Sequence, residues 1–350
     1  MNQNYYVTQS GSLQRKDNTL YFEKAAEPET NPLEVGGKGE FKKLRRTPIP
    51  VEGVDSLYLF GEITLNTRLL NFLAQKQVAV HVFNYYGYYS GSYYPREYLN
   101  SGFLLVNQVG HYSRHHQRLD LARSFVAGAI FNMRRNLKYY SKPSQGKGCQ
   151  AQIDQIDQLV DKVVAAEGIS QLMGMEGNLK QVYYSAFNQI LELETPYRKR
   201  EYRPPTNPIN ALISFGNSLV YTACLSQIYR TQLNPTISFL HEPGERRFSL
   251  SLDLAEIFKP LIADRLMFRL LGRNQIRESE HFDTDLNGCY LTEEGRKIYI
   301  REFDAVLKQT VKHPKLKRSV SYQRLIRLEC YKLIKHLTEI EPYQPLHPWW

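Results

Sequence analysis

The feature that most limits how this chain can fold is a change of hydrophobic period near residue 100. Before it, Tyr5 to Val7, Ser12 to Arg15, Thr19 to Phe22, Leu57 to Phe60 and Val78 to Phe83 are short β-branched or aromatic runs between turn formers, the pattern of strands. From about Phe103, apolar residues recur at helical spacing over 117–140, 151–165, 176–193, 208–230, 251–272 and 320–338. The two periods are incompatible, because a strand alternates its side chains between faces while a helix repeats every 3.6 residues. The expected fold class is therefore α+β, with a small sheet domain over 1–98 and a larger, mainly helical domain over 99–350. One helix should interrupt the strands, where Asn66 can cap the segment before LLNFLAQK. Residues 24–40 concentrate Pro, Glu and Gly and read as a mobile loop, and Pro and Gly breaks fall at 141–148, 195–208 and 233–247.

At 350 residues, 42% hydrophobic and 23% charged, the chain has the composition of a folded protein with a real core. No uninterrupted apolar run reaches membrane-spanning length, and the start, MNQNYYVTQSG, lacks a secretory pattern, so a cytoplasmic protein with no membrane partner is expected. Cys149, Cys224, Cys289 and Cys330 are too scattered for structural zinc or a CxxC redox pair. A net charge of +10 makes a polyanion a natural partner, since clustered Lys and Arg displace counterions from phosphates, although charge alone also serves solubility.

The chemistry concentrates in FLHEPGERRFSLSLDLAEIFKP. A loop histidine, His241, precedes a helix carrying Asp253 and Glu256 three residues apart on one face. Leu250, Leu252, Leu254, Ile257 and Phe258 bury most of that helix, and buried carboxylates are costly unless paired or bound to a cation. Pro260 removes the N–H that would bond the carbonyl of Glu256, so a kink is expected there. On spacing alone, the reading of both acids as helix-start residues favoured by the dipole has the better of it. Upstream, Glu176 sits beside a glycine in LMGMEGNLKQVYYSAF, at the expected start of another apolar helix.

The order MEGNLKQVYYSAF, RPPTNPINALISFGNSLVY, LNPTISFLH and SLSLDLAEIFKPLIAD closely resembles the CRISPR-associated integrase family, the catalytic subunit of spacer acquisition. The likeness runs over most of residues 90–275, and GEITLNTRLLNFLAQKQVAVHVF is similar to a phrase in that family's amino-terminal β-sandwich. The resemblance implies a β-sandwich followed by a helical catalytic domain. It puts Glu176, His241 and Glu256 on the family's metal-ligand positions and Asp253 on an assisting acidic position. Ala129 stands where a basic residue is frequent, and Arg134 or Arg135 is its expected substitute.

A Glu/His/Glu set suits Mn²⁺ or Mg²⁺. Such a metal polarises a phosphodiester for in-line attack, by a spacer 3′-hydroxyl in integration or by water in endonuclease cleavage. For DNA binding the expected residues are Arg198, Lys199, Arg200 and Arg203 in the loop between the catalytic segments, with Arg265, Arg269, Arg273 and Arg277 as a helical stripe at a spacing of four. The stripe reads equally well as a solvated face. By resemblance the partners are double-stranded DNA, a second copy in a homodimer and a small ferredoxin-like CRISPR adaptation subunit. The rivals are a non-catalytic DNA-binding scaffold and a repair or transposon nuclease of the same fold. The tyrosine-dense segment 83–95 reads as packing, between domains or copies, rather than base stacking, and the tail PYQPLHPWW reads either as docked on a partner or as loose.

Overall fold

The amino-terminal strands build two four-stranded sheets. The computed structural model describes residues 3–24, 46–95, 99–191, 197–201, 204–244, 248–285 and 288–350. It divides the chain into units Met1–Tyr98 and Leu99–Trp350. The expected loop at 24–40 falls, apart from Lys24, outside the described residues.

In the first unit the strands are β1 (Gln3–Val7), β2 (Gly11–Lys16), β3 (Thr19–Lys24), β4 (Arg46–Pro50), β5 (Val54–Leu59), β6 (Ile63–Thr64), β7 (Ala79–Phe83) and β8 (Tyr89–Tyr93), with helix α1 (Thr67–Gln75) between β6 and β7. One sheet has the order β1-β5-β7-β8 and the other β4-β3-β2-β6. In the first, β5 lies between parallel neighbours and is buried along its whole length, Asp55 and Ser56 included. The inward residues Leu13, Leu20 and Ile49 of one sheet meet Val7, Leu57, Leu59 and Val80 of the other, with Leu69, Phe72 and Leu73 of α1 completing one core. Truncating one of these to Ala costs about 2–5 kcal/mol. Asn66 caps α1 as expected, its side chain accepting the N–H of Leu69 at 2.9 Å.

Three strands of this unit escaped the sequence reading: β4, β8 and the two-residue β6. β4 contains Pro48 and Pro50, which disqualify a central strand but are tolerated at a sheet edge, and an edge is where β4 lies. β8 emerges from the tyrosine-dense segment. There the Asn84 side chain accepts the N–H groups of Tyr86 and Tyr88, and Gly87 takes a left-handed φ of 83°, which closes the hairpin with β7.

The second unit is built from α2 (Gly102–Ser113), α3 (His115–Tyr140), α4 (Gln150–Val164), α5 (Ile169–Ser185), α6 (Phe187–Leu191), α7 (Pro208–Tyr229), α8 (Ser249–Lys259), α9 (Arg265–Gly272), α10 (Glu278–His281), α11 (Glu293–Lys308) and α12 (Tyr322–Leu337). Two short ribbons, β9 (Phe282–Asp285) with β10 (Gly288–Leu291) and β11 (Thr310–Lys312) with β12 (Ser319–Ser321), punctuate the last third. Helix α7 is long and apolar enough to cross a membrane by composition, but it is mostly buried and serves as the central core helix. Asn207 caps it, and Pro208 opens it where a missing N–H costs nothing.

The expected helix over 251–272 is interrupted. Between α8 and α9, Pro260–Asp264 forms a π-helical turn. Pro260 withdraws a donor, and a π turn leaves carbonyls without their usual partners. Two amides one turn apart on α3 supply replacements: Asn132 donates to the Ile257 carbonyl at 2.8 Å and Asn136 to the Pro260 carbonyl at 2.7 Å. The carboxyl-terminal tail packs on its own chain, with Tyr343 and Leu346 buried and Trp350 Nε1 donating to Tyr322 at 2.8 Å.

Candidate active site

Three buried acids lie on α5 and α8. Glu176 is 6% exposed, Asp253 is fully buried and Glu256 is 2% exposed. None is a helix-start residue. α8 begins at Ser249, which puts Asp253 and Glu256 in its second and third turns, and α5 begins at Ile169, which puts Glu176 mid-helix despite the adjacent Gly177. The reading of these acids as dipole-favoured first-turn residues is thereby corrected.

Asp253 and Glu256 are satisfied in opposite ways. The Asp253 carboxylate accepts the backbone N–H groups of Phe239 at 2.7 Å, Leu240 at 3.0 Å and His241 at 3.0 Å, and lies 2.8 Å from His241 Nδ1. With its oxygens accepting these backbone N–H groups, the carboxylate also holds Nδ1 of His241 and leaves Nε2 as the ring nitrogen it does not engage. Asp253 thus folds the 239–241 loop and fixes the tautomer of its histidine. Its side chain is fully buried.

Glu256 instead meets ammonium groups. Lys180 Nζ lies 2.9 Å from its Oε2 and Lys259 Nζ lies 2.7 Å from its Oε1. Lys180 also pairs with Glu176, one turn away on α5, so the two glutamates converge on one positive charge. Burial pushes Glu256 up, but Lys180, Lys259 and His241 together outweigh it and hold the carboxyl well below the usual range. Burial and the neighbouring Glu256 raise Glu176 above its ordinary value, against the pull of Lys180. Burial opposes the charge on Lys180, yet Glu256 and Glu176 drive it well above the ordinary lysine range, so it stays protonated. Two carboxylates pushed apart in this way are a signature of functional sites.

Sequence reasoning missed the lysines, although their spacings were legible: Lys180 follows Glu176 by four residues and Lys259 follows Glu256 by three, both same-face distances on a helix. It also missed Asp264, which burial pushes up to about 7 against the Tyr183 hydroxyl and the two lysines. Asn136 donates to that tyrosine at 3.0 Å.

The expected DNA-binding residues divide. Arg198 and Lys199 are exposed, and Lys199 lies 3.4 Å from Glu201. Arg200 is engaged within the fold, donating to Asn210 Oδ1 at 3.0 Å and Ser214 Oγ at 2.7 Å. Arg203 lies outside the described residues. The single stripe is broken: Arg265 and Arg269 share α9, Arg273 caps its end after Gly272, and Arg277 stands beyond a left-handed Asn274, paired with Glu280 at 2.8 Å. Arg134 pairs with Asp157, and Arg135 donates to the Pro348 carbonyl.

Among the described residues no three His, Cys, Asp or Glu side chains converge as a ready-made cation cage. The chemistry of the donors nonetheless fits a hard divalent cation. Glu176 and Glu256 already converge on a charge, here an ammonium on a flexible stem, and His241 is oriented by a carboxylate as metal-ligating histidines usually are.

Comparison with known proteins shows the family and the fold. The family model described as CRISPR associated protein Cas1 matches residues 5–305. A protein named CRISPR-associated endonuclease Cas1 3, from Thermodesulfovibrio yellowstonii, is 50% identical over 347 residues, covering 99% of each chain. The solved structure of a CAS1 protein from Thermotoga maritima superposes with a TM-score of 0.84 at 40% identity, over 98% of this chain and 100% of that one. A chain in a structure titled Cas6-RT-Cas1–Cas2 complex shares the fold at a TM-score of 0.81 and 18% identity, over 100% of this chain and 36% of that one.

Proposed function

The chain belongs to the CRISPR-associated Cas1 family, the endonucleases of spacer acquisition, and on that premise we propose that Glu176, Glu256 and Nε2 of His241 hold Mg²⁺ or Mn²⁺ for phosphodiester cleavage and joining in DNA. The observation that carries this reading is the convergence of two buried glutamates from different helices on one ammonium, beside a histidine locked by Asp253. When bound there, the cation stabilises charge that develops on the scissile phosphate.

The chain's own residues do the rest. Asp253 keeps the His241 ring in one tautomer and orientation. Lys180 and Lys259 keep Glu256 ionised, and as cations on flexible stems they can turn toward phosphate oxygens when the carboxylates take up metal. Arg198 and Lys199, both exposed, supply phosphate contacts along a double-stranded DNA partner. The nucleophile is the 3′-hydroxyl of an incoming spacer in integration, and water in endonuclease cleavage.

In this reading the protein works in the prokaryotic cytoplasm as a homodimer beside a small ferredoxin-like CRISPR partner. The assembly named Cas6-RT-Cas1–Cas2 complex, which contains a chain of this fold, supports a partnership of that kind. The test is incubation of the purified protein with labelled DNA bearing free 3′-hydroxyl ends and a repeat-containing target, with Mn²⁺, Mg²⁺ or chelator. Metal-dependent cutting or joining that His241→Ala and Glu256→Gln both lose is the expected result. Undiminished activity in either variant would sink the assignment.

A further inference from the structure

A second concavity lies in the helical unit, and the metal-site reading does not use it. It is a cleft of about 710 Å³, lined by none of Glu176, His241, Glu256 or Lys180. Its volume falls within the roughly 300–1,000 Å³ of small-ligand sites. The π turn at 260–264 and helix α9 form one wall, and the end of α3 with the loop after it forms another. Nine residues separate Glu256 from Arg265, a rise of roughly 13 Å along the rod at about 1.5 Å per residue.

The lining has a consistent chemistry. Arg265, Arg269, Arg273 and Lys147 line the cleft, and among the described residues no aspartate or glutamate lines it. Arg269 reaches Glu302 at 3.1 Å, whereas no carboxylate among the described residues pairs with Arg265 or Arg273. Burial lowers the Arg135 pKa, and nearby Arg265 lowers it further against the pull of Tyr322, so like charges lie close together beside the cleft. Such an accumulation destabilises the free protein and favours an anion, and the planar guanidinium fork matches phosphate oxygens two at a time. Beside the cations the cleft shows aromatic surface. Tyr139 is 45% exposed, its ring edge-on to Tyr140 at 5.0 Å, and Tyr140 packs edge-on against Phe268 at 5.3 Å. The Lys142 ammonium lies 5.7 Å from the centre of the Tyr139 ring, and an exposed ring lining a cationic cleft offers a base a stacking surface.

We propose that this cleft binds a nucleoside phosphate, with its phosphate on Arg265 and Arg273 and its base against Tyr139. The ligand comes either as a free nucleotide or as an unpaired nucleotide of a DNA strand. The site is separate from the metal centre, so binding needs no divalent cation and does not depend on the catalytic reading.

The test is equilibrium binding to the full-length protein in EDTA, by anisotropy with fluorescein-labelled ATP, a short single-stranded oligonucleotide and a blunt duplex of equal length. The Arg265→Gln/Arg273→Gln variant should weaken the unpaired ligands about tenfold, reduce the salt slope for the oligonucleotide by roughly 0.7 for each phosphate no longer neutralised, and change duplex binding less than twofold. Tyr139→Ala, at a half-exposed position that tolerates truncation, should weaken the nucleotide while leaving competition by inorganic pyrophosphate unchanged. Retention of the oligonucleotide without free ATP identifies a strand-borne ligand, and binding of both identifies the cleft as a nucleotide site in its own right. Equal weakening on duplex and single strand would reduce the arginines to a general cationic surface and overturn the proposal, as would unaltered affinity for every ligand.

Discussion

Two buried glutamates in this protein begin from nearly the same local sequence and end in different states. Glu256 opens EIFK on α8 and Glu329 opens ECYK on α12, and each pairs with the lysine three residues on at 2.7 Å. Glu329 then accepts the Tyr343 hydroxyl at 2.7 Å and the Leu346 N–H at 3.0 Å, and burial pushes its pKa up despite Lys332 and those donors. Burial works on Glu256 in the same direction, but a second ammonium from another helix and a nearby histidine reverse the outcome. The motif therefore does not set the charge. What sets it is the number of cations the fold brings in from elsewhere. Fixed donors tie Glu329 to the 343–346 segment, whereas Glu256 is held by ammonium groups on flexible stems.

The sharpest way to break this comparison is to neutralise each glutamate. Glu256→Gln should lower metal-dependent DNA cleavage on the order of 10³-fold, the scale of removing one group that stabilises transition-state charge. Glu329→Gln should leave the rate within about twofold and lower the melting temperature instead. Rates on labelled DNA with excess Mn²⁺ separate the two outcomes, and an equal drop in both variants would mean that the tail anchor and the centre are one unit.

Asp253 sharpens the comparison from the other side, because its partners are fixed like those of Glu329 although it lies one helical turn from Glu256. Asp253→Asn replaces an acceptor with an amide donor facing N–H groups and should cost about 3 kcal/mol in urea unfolding. The same variant should slow cleavage about 10–100-fold through a histidine that is no longer oriented. Lower stability with unchanged kinetics would deny Asp253 any role through His241.

Asp264 tests what a buried carboxylate does when no ammonium sits directly on it. Its folded pKa of about 7 lies above the unfolded value of roughly 3.9, so the native state holds the proton more tightly. The resulting stability is complete below about pH 4, declines as pH rises and is gone once pH passes the folded pKa, with a slope of up to about 1.4 kcal/mol per pH unit. Asp264→Asn stays neutral throughout, so its stability relative to the parent should climb between about pH 4 and 7 and level off above. A difference independent of pH across that window would show Asp264 to be ionised in the fold.

How much of this was legible in sequence follows from which forces are local. The strand and helix periods, the Asn66 cap and the disturbance at Pro260 depend on neighbours along the chain and could be read directly. The family resemblance pointed to Glu176, His241 and Glu256, but not to why buried acids survive there. That depends on Lys180 reaching across to α8 and on three amides folding over Asp253, contacts between segments far apart in sequence. The strict spacing of Arg265, Arg269, Arg273 and Arg277 misled because a four-residue repeat reads as one helix face only while the helix lasts, and α9 ends at Gly272. β4 was hidden by its prolines and β8 by a tyrosine run with little alternation, since edge pairing depends on the partner strand.

The smallest effect tests the fixed-donor half of the comparison. Tyr343→Phe removes one hydrogen bond to Glu329 while keeping the ring against Phe125, whose centroid lies 5.3 Å away. The cost should be about 1 kcal/mol. Because Glu329 also holds Leu346, and because Phe131 stacks on His347 at 4.1 Å, the tail should stay docked and only exchange faster. Hydrogen exchange over residues 340–350 should therefore rise several-fold while α8 keeps its protection and DNA cleavage keeps its rate. If α8 loses protection as well, the tail is part of what holds the catalytic helix, and the separation between an anchoring glutamate and a catalytic one fails at the level of dynamics even though the static contacts keep them apart.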